Sequence, residues 1–159
     1  MSAKAFSGGC QCGAVRYRID GDLRYPHVCH CRMCQKASGN YFLPLGASSR
    51  DRFTLTRGEP NWFQSSDHIR RGFCASCGTP LFYDSPGLDF INVTLGSLDE
   101  PQSVLPQAQS NLSNKMSWFS HLDTLSVEPE PADGAGQTVK NRQHPDHDTQ
   151  HWPPQEKTA

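Results

Sequence analysis

Seven cysteines fall into three clusters: Cys10-Gln-Cys12, Cys29-His-Cys31-Arg-Met-Cys34, and Cys74-Ala-Ser-Cys77 followed by Gly78. The spacing suits metal ions better than disulfides. A closed tetrahedral zinc site takes four protein ligands, whereas a reactive one takes three and keeps a position for water or substrate. Four and three together use every cysteine. The natural division gives the two outer pairs to a structural ion and the central triplet to an open one. An odd cysteine count with no apolar leader-length segment at the N-terminus argues against a disulfide scaffold. Reduced thiols fit a cytoplasmic compartment.

Chain length permits one domain with a real core, but only 35% of residues are hydrophobic. Metal crosslinks relieve that shortage, because binding energy at a structural zinc adds directly to folding energy. The formal net charge is −1, and thiolates holding divalent ions would make it more negative. Arg50, Arg52, Arg57, Arg70 and Arg71 gather locally, yet no run of like charge is long enough for a nucleic-acid arm. No window is long and apolar enough to span a membrane. Neither a nucleic-acid partner nor a membrane is expected.

Val15, Tyr17 and Ile19 alternate with polar neighbours, the two-residue period of a half-buried strand. Short runs of similar character recur at Tyr41–Leu45, Phe53–Thr56, Trp62–Gln64, Ile69–Phe73, Leu81–Tyr83 and Phe90–Leu95. Turn signals such as Gly58-Glu59-Pro60 and Ser85-Pro86-Gly87 separate them. Only Met33–Ala37 and the stretch around Trp118–Leu122 suggest short helices. The fold class expected is mainly β: short antiparallel strands stapled by a structural zinc. Residues 1–127 form the expected zinc-binding catalytic domain. Residues 128–159 are rich in Pro, Gly and His with little to bury, and read as a flexible tail or one draped over a neighbouring surface. His144, His147 and His151 in it read as solvated rather than metal-binding.

Cys10 and Cys12, read as two apart in a strand, present both sulfurs to one face. Cys74-x-x-Cys77-Gly78 reads as a zinc knuckle whose glycine tolerates a positive φ. In the triplet, a fourth protein ligand would be His27 or His30. Reading both as solvated loop residues leaves the position open. An open zinc on three thiolates binds an incoming thiol, lowers its pKa and holds it as thiolate near neutral pH. Sulfur-rich coordination suits a soft visitor, so the expected substrates carry sulfur.

The stretches GGCQCGAVRY, CHCRMCQKASGNYF, FTLTRGEPNWFQSS, RRGFCASCGTPLFY, LGSLDEP and MSWFSHLDTL carry a further resemblance. In order and spacing, over about residues 6–125, the chain resembles the glutathione-dependent formaldehyde-activating enzyme family, which includes centromere protein V-like members. The resemblance implies a β-tent fold, similar to that of a zinc-containing chaperone. It implies a structural zinc on Cys10, Cys12, Cys74 and Cys77, and a catalytic zinc on Cys29, Cys31 and Cys34, two per chain. The activity implied is a carbon–sulfur lyase that reversibly joins glutathione and formaldehyde into S-(hydroxymethyl)glutathione. The partner is then a small-molecule thiol with its aldehyde. One departure stands out: relatives often carry Pro-x-x-His before the closing tryptophan, where this chain has Pro106-Gln-Ala-Gln109. Because glutathione is anionic, Arg32, Lys36 and Arg71 are candidate contacts to it. Trp62, Phe63, Trp118 and Phe119 read as core rather than pocket wall. The alternative function is a non-catalytic zinc module that binds a protein partner.

Overall fold

A computed structural model describes residues 4–128 and 141–153. Strands β1 (Ala5–Gly9), β2 (Arg16–Asp20) and β5 (Phe53–Arg57) form a small antiparallel sheet in the order β1-β2-β5. A larger sheet runs β10-β3-β4-β9-β8-β7-β6. Its members are β10 (Ala108–Ser110), β3 (Arg24–Cys29), β4 (Leu43–Ser49), β9 (Phe90–Thr94), β8 (Pro80–Asp84), β7 (Arg70–Phe73) and β6 (Asn61–Gln64). Every pairing is antiparallel except that of β10 with β3. One α-helix, α1 (Arg32–Ser38), follows β3, and short 3-10 turns include Phe119–Thr124. The mainly β expectation holds, with few and short helices.

The core lies between the sheets. Tyr17, Ile19 and Val15 of the small sheet region pack with Leu81, Phe82, Ile91 and Val93 of the large one. The Tyr17 ring sits edge-on to Phe82 at 5.4 Å, and its hydroxyl meets Ser97 Oγ at 2.7 Å. That bond satisfies a phenol with no exposed surface. Beside the core, Arg16 forms a buried two-pronged pair with Asp99 at 2.7 and 2.6 Å.

Register sorts the large sheet into two cross-strand rows. Trp62, Gly72, Phe82, Val93 and Gly46 stand opposite one another in succession, and next to them run Phe63, Arg71, Tyr83, Asn92 and Ala47. Adjacent rows face opposite sides of a sheet. The first supplies core residues Phe82 and Val93. The second supplies Arg71, Tyr83 and Asn92 to a cavity on the other face.

Three strands lay outside the sequence expectation. β1 is glycine-rich because Gly8 passes close to Tyr17: a Cβ there would meet Ser97 O at 2.5 Å and the Tyr17 hydroxyl at 2.6 Å. β3 contains Pro26 and a register shift between Arg24 and His27. β10 is three residues long and exists through its parallel pairing with β3. The aromatic residues read as core are corrected: Phe63 is 62% exposed, Trp62 and Trp118 lie at the surface, and Phe119 is half-buried. Trp62 lies at an edge strand, with the Arg70 guanidinium 4.0 Å over its ring.

The described end of the tail lies against the body. His144 is buried, its backbone N–H donates to Gln11 O at 2.7 Å, and Trp152 Nε1 donates to Cys12 O at 2.7 Å. Arg16 reaches Asp148 at 2.9 Å, and Arg57 donates to the Thr149 carbonyl. His144 is therefore not solvated. His147 and His151 join no metal-ligand cluster among the described residues.

Candidate metal centres and the cavity beside them

The four sulfurs of Cys10, Cys12, Cys74 and Cys77 lie within 4.8 Å of one another, although Cys12 and Cys74 are 62 residues apart in sequence. Cys10 and Cys12 lie not in a strand, as read from their spacing, but in a turn after β1, with Gly13 N donating to Cys10 O at 2.9 Å. Cys74 and Cys77 close another, with Gly78 N donating to Cys74 O at 2.9 Å. In both turns a glycine follows the second cysteine with positive φ, 78° at Gly13 and 76° at Gly78. Gly13 also has no room for a side chain, since an added Cβ would fall 2.0 Å from the His144 ring.

The sulfurs fit an ion. Four ligands at a zinc–sulfur distance of about 2.3 Å stand about 3.8 Å apart at tetrahedral corners. Cys10 to Cys12 measures 3.6 Å, and Cys12 to Cys74 measures 3.8 Å. Val15 N–H donates to Cys10 Sγ at 3.3 Å, and Thr79 Oγ1 lies 3.1 Å from Cys77 Sγ. Burial pushes the Cys12 thiol up to about 12. At Cys77 burial is outweighed by hydrogen bonds from Thr79, which hold it near 6. Without a cation, then, the cluster resists full ionisation.

The second cluster forms where β3 ends and α1 begins. Cys29 is the last residue of β3, Cys31 is the N-cap, and Cys34 sits in the first turn. Cys31 Sγ accepts the Cys34 N–H at 3.3 Å, a capping bond usually made by an oxygen. The three sulfurs lie within 4.8 Å of one another. Asn111 Nδ2 donates to Cys29 Sγ at 3.4 Å, and Arg71 Nη2 donates to Cys34 Sγ at 3.5 Å. Burial raises Cys34 to about 12 despite Arg71. At Cys29 burial is outweighed by donors from Cys31 and Ser110, and the thiol is lowered. The set is again soft and sulfur-only, and among the described residues no fourth ligand joins it.

These cysteines line a cavity of about 290 Å³ together with His27, Leu45, Arg71, Tyr83, Asn92 and Asn111. Tyr83, Asn92 and Asn111 carried no signal in the sequence. They reach the site through sheet register and through the turn after β10, where Asn111 takes φ 57°. Of the three cations expected to meet an anionic thiol, only Arg71 lines this cavity. Arg32 is exposed and bonded to Gln35 Oε1 at 3.1 Å, and Lys36 is exposed on α1.

His30 corrects the reading of solvated loop histidines. It is fully buried, packs edge-on to Phe119 at 4.9 Å, and pairs through Nε2 with Gln109 Oε1 at 3.0 Å, leaving Nδ1 without a partner. It lies outside the cavity lining, so it offers no general base there. Gln109, at the departure from Pro-x-x-His, serves instead to hold β10 on β3, with His30 N donating to Ser110 O at 3.0 Å. His27 lines the cavity, but its Nδ1 is engaged with Tyr25 O at 2.9 Å.

Residues 5–114 match the model of a family described as "Glutathione-dependent formaldehyde-activating enzyme". A Halomonas elongata protein named "Putative glutathione-dependent formaldehyde-activating enzyme" is 25% identical over 121 residues, covering 70% of this chain and 77% of its own. A crystal structure of a Rhodobacter sphaeroides protein shares the fold at a TM-score of 0.51 and 18% identity, over 65% of this chain and 99% of that one. With its two cysteine clusters inside the matched span, the chain belongs to the glutathione-dependent formaldehyde-activating enzyme family.

Proposed function

We propose that this protein is a zinc-dependent carbon–sulfur lyase acting on adducts of glutathione, or another small thiol, with an aldehyde, in the manner of an S-(hydroxymethyl)glutathione synthase. Cys10, Cys12, Cys74 and Cys77 hold a structural zinc, and Cys29, Cys31 and Cys34 hold the catalytic one. The observation that carries this reading is the convergence of three sulfurs on one wall of a cavity large enough for a small molecule. The family match supports the substrate class.

When bound to three thiolates, zinc supplies Lewis acidity and one exchangeable position for a thiol, whose pKa it lowers. The chain's own groups do the rest. Cys29, Cys31 and Cys34 keep one direction open toward the cavity. Leu45 and Tyr83 restrict water on one side, and Asn92 and Asn111 offer amide donors to an oxygen. In the synthetic direction a bond forms between thiol sulfur and aldehyde carbon, while the thiol proton ends on the aldehyde oxygen. Cleavage reverses each transfer.

The catalytic unit is residues 1–127, which contain both clusters and the cavity, and residues 128–159 are an appended tail. None of the seven cysteines forms a disulfide, which suits a reducing, cytoplasm-like compartment. No helix among the described residues is long and apolar enough to cross a membrane.

The test compares wild type with Cys31→Ser. Wild type should hold two zinc ions per chain, bind glutathione by calorimetry, and speed adduct formation with formaldehyde above the uncatalysed rate seen by NMR. Cys31→Ser should lose one zinc together with thiol binding and rate. Intact thiol affinity in a variant lacking that zinc would reject the lyase. A zinc-loaded wild type that binds no thiol would favour a non-catalytic module.

A further inference from the structure

Arg71 is a buried cation without a carboxylate. It is 8% exposed, and among the described residues no Asp or Glu lies in ion-pair range of it. Its neighbour Arg70 pairs with Asp84 at 2.7 Å, and buried Arg16 pairs with Asp99 at 2.6 Å. Arg71 instead donates through Nε to Ser65 Oγ at 3.0 Å and through Nη2 to Cys34 Sγ at 3.5 Å, with its guanidinium 5.1 Å from the Tyr83 ring centre. A buried charge left unpaired is costly, so a partner charge is required. Serine supplies a dipole and tyrosine a quadrupole, and neither supplies an anion. The remaining neighbour is the cysteine triplet.

We infer that Arg71 is the counter-cation of the central cysteine cluster, a positioning residue that brings the loaded site to zero net charge. The inference rests on the metal site proposed above. Three thiolates around one divalent ion leave a single negative charge, and Arg71 cancels it. Two consequences follow. The loaded cluster is anionic, so a fixed cation beside Cys34 favours the loaded state. An arriving thiolate also meets a neutral site rather than a repelling one. This role differs from a contact with a carboxylate of glutathione, because the Nη2 donor is aimed at the ligand sulfur. Sheet register holds it there: Arg71 stands between Phe63 and Tyr83 in one cross-strand row.

The experiment uses the full chain as wild type, Arg71→Met and Arg71→Lys. Methionine keeps much of the length and removes the charge, whereas lysine keeps the charge and loses the fork. Cobalt replaces zinc, and its thiolate charge-transfer absorption reports each cluster during titration against a chelator at fixed pH. Arg71→Met should weaken the central site about 10- to 100-fold, the range for loss of a group hydrogen-bonded to a metal ligand. The outer cluster should stay at wild-type affinity, which also shows that the variant is folded. Arg71→Lys should recover most of the central affinity, and the same order should hold for the glutathione Kd. Unchanged metal affinity in Arg71→Met, or lysine failing as badly as methionine, would overturn the inference and leave the lyase reading standing. If Arg71→Met unfolds, the Arg71→Lys comparison decides alone: affinity within a few-fold of wild type sustains the role, and a loss of about 10- to 100-fold ends it. A central cluster that takes no metal in wild type would sink both readings.

Discussion

The two cysteine clusters use one kind of side chain and differ in what surrounds it. The outer cluster joins two turns from distant parts of the chain, and the tail closes over it. His144 packs on Gly13, Trp152 bonds to Cys12 O, and Gln11 N donates to Thr79 Oγ1 at 3.0 Å. The central cluster comes from six consecutive residues and opens on a cavity, with the side chains of Arg71 and Asn111 aimed at its sulfurs beside the Cys34 N–H of the helix turn. Under the proposed function the contrast would separate two uses of a metal. Ligands drawn from distant segments would let an ion contribute to folding, whereas ligands from one strand–helix junction would cost little to assemble and leave one direction free.

Breaking the outer cluster should have the largest effect. Structural zinc contributes about 10–16 kcal/mol in small domains, comparable to the whole stability of a domain. Cys74→Ala should therefore lose one zinc and the cooperative fold, followed by metal analysis and circular dichroism. A native-like spectrum would break the distinction between the clusters. Next in size, Asp99→Ala leaves Arg16 buried with only the exposed Asp148, and should cost about 3–5 kcal/mol in denaturant melts.

The same pair sets a pH dependence. At Asp99 burial opposes ionisation, but the Arg16 guanidinium and the Ser7 hydroxyl outweigh it and hold the carboxyl below its usual range. A depressed folded-state pKa adds stability above the unfolded value of about 4, and that stability is lost as pH falls through the folded one. Wild type should lose stability on acidification below about pH 4, and Asp99→Asn should show a shallower slope there. Equal slopes would remove Asp99 from the account.

A smaller effect is expected on deleting residues 141–159. The fold and two zinc ions should remain, while chelator strips the outer cluster several-fold faster than in wild type and the central one at an unchanged rate. Equal rates at the outer cluster would mean the tail does not guard it. Smallest of all, Arg32→Ala and Lys36→Ala should leave glutathione affinity within about twofold, since surface substitutions away from a site change little. A tenfold loss in either would put the thiol's carboxylates on α1 and move the binding groove out of the cavity.

Much of the fold was legible because its signals are local. Alternation at Val15, Tyr17 and Ile19 marked β2, though the element starts at Arg16. The run from Tyr41 found β4, which is observed at Leu43–Ser49, and Met33–Ala37 found α1. β3 escaped notice because Pro26 contradicts strand propensity, and the strand accommodates it with a left-handed Tyr25 and a register shift. β10 escaped because three polar residues have no pattern and gain their structure from β3.

The chain itself determined that the sulfurs come as two pairs and a triplet, since ligand spacing is a covalent property. It also marked Gly78 as the positive-φ glycine of one outer turn, whereas the matching role of Gly13 came from the structure. Only tertiary structure decided which cation faces the central cluster. Arg32, Lys36 and Arg71 are alike in the sequence, but register across β6, β7 and β8 turns Arg71 inward to Cys34 while α1 turns the other two outward. The same holds for His30 and His144, whose burial depends on Gln109 and Gly13, far away in the chain. A side chain's charge is written in its residue type, whereas what that charge faces depends on which strands become neighbours.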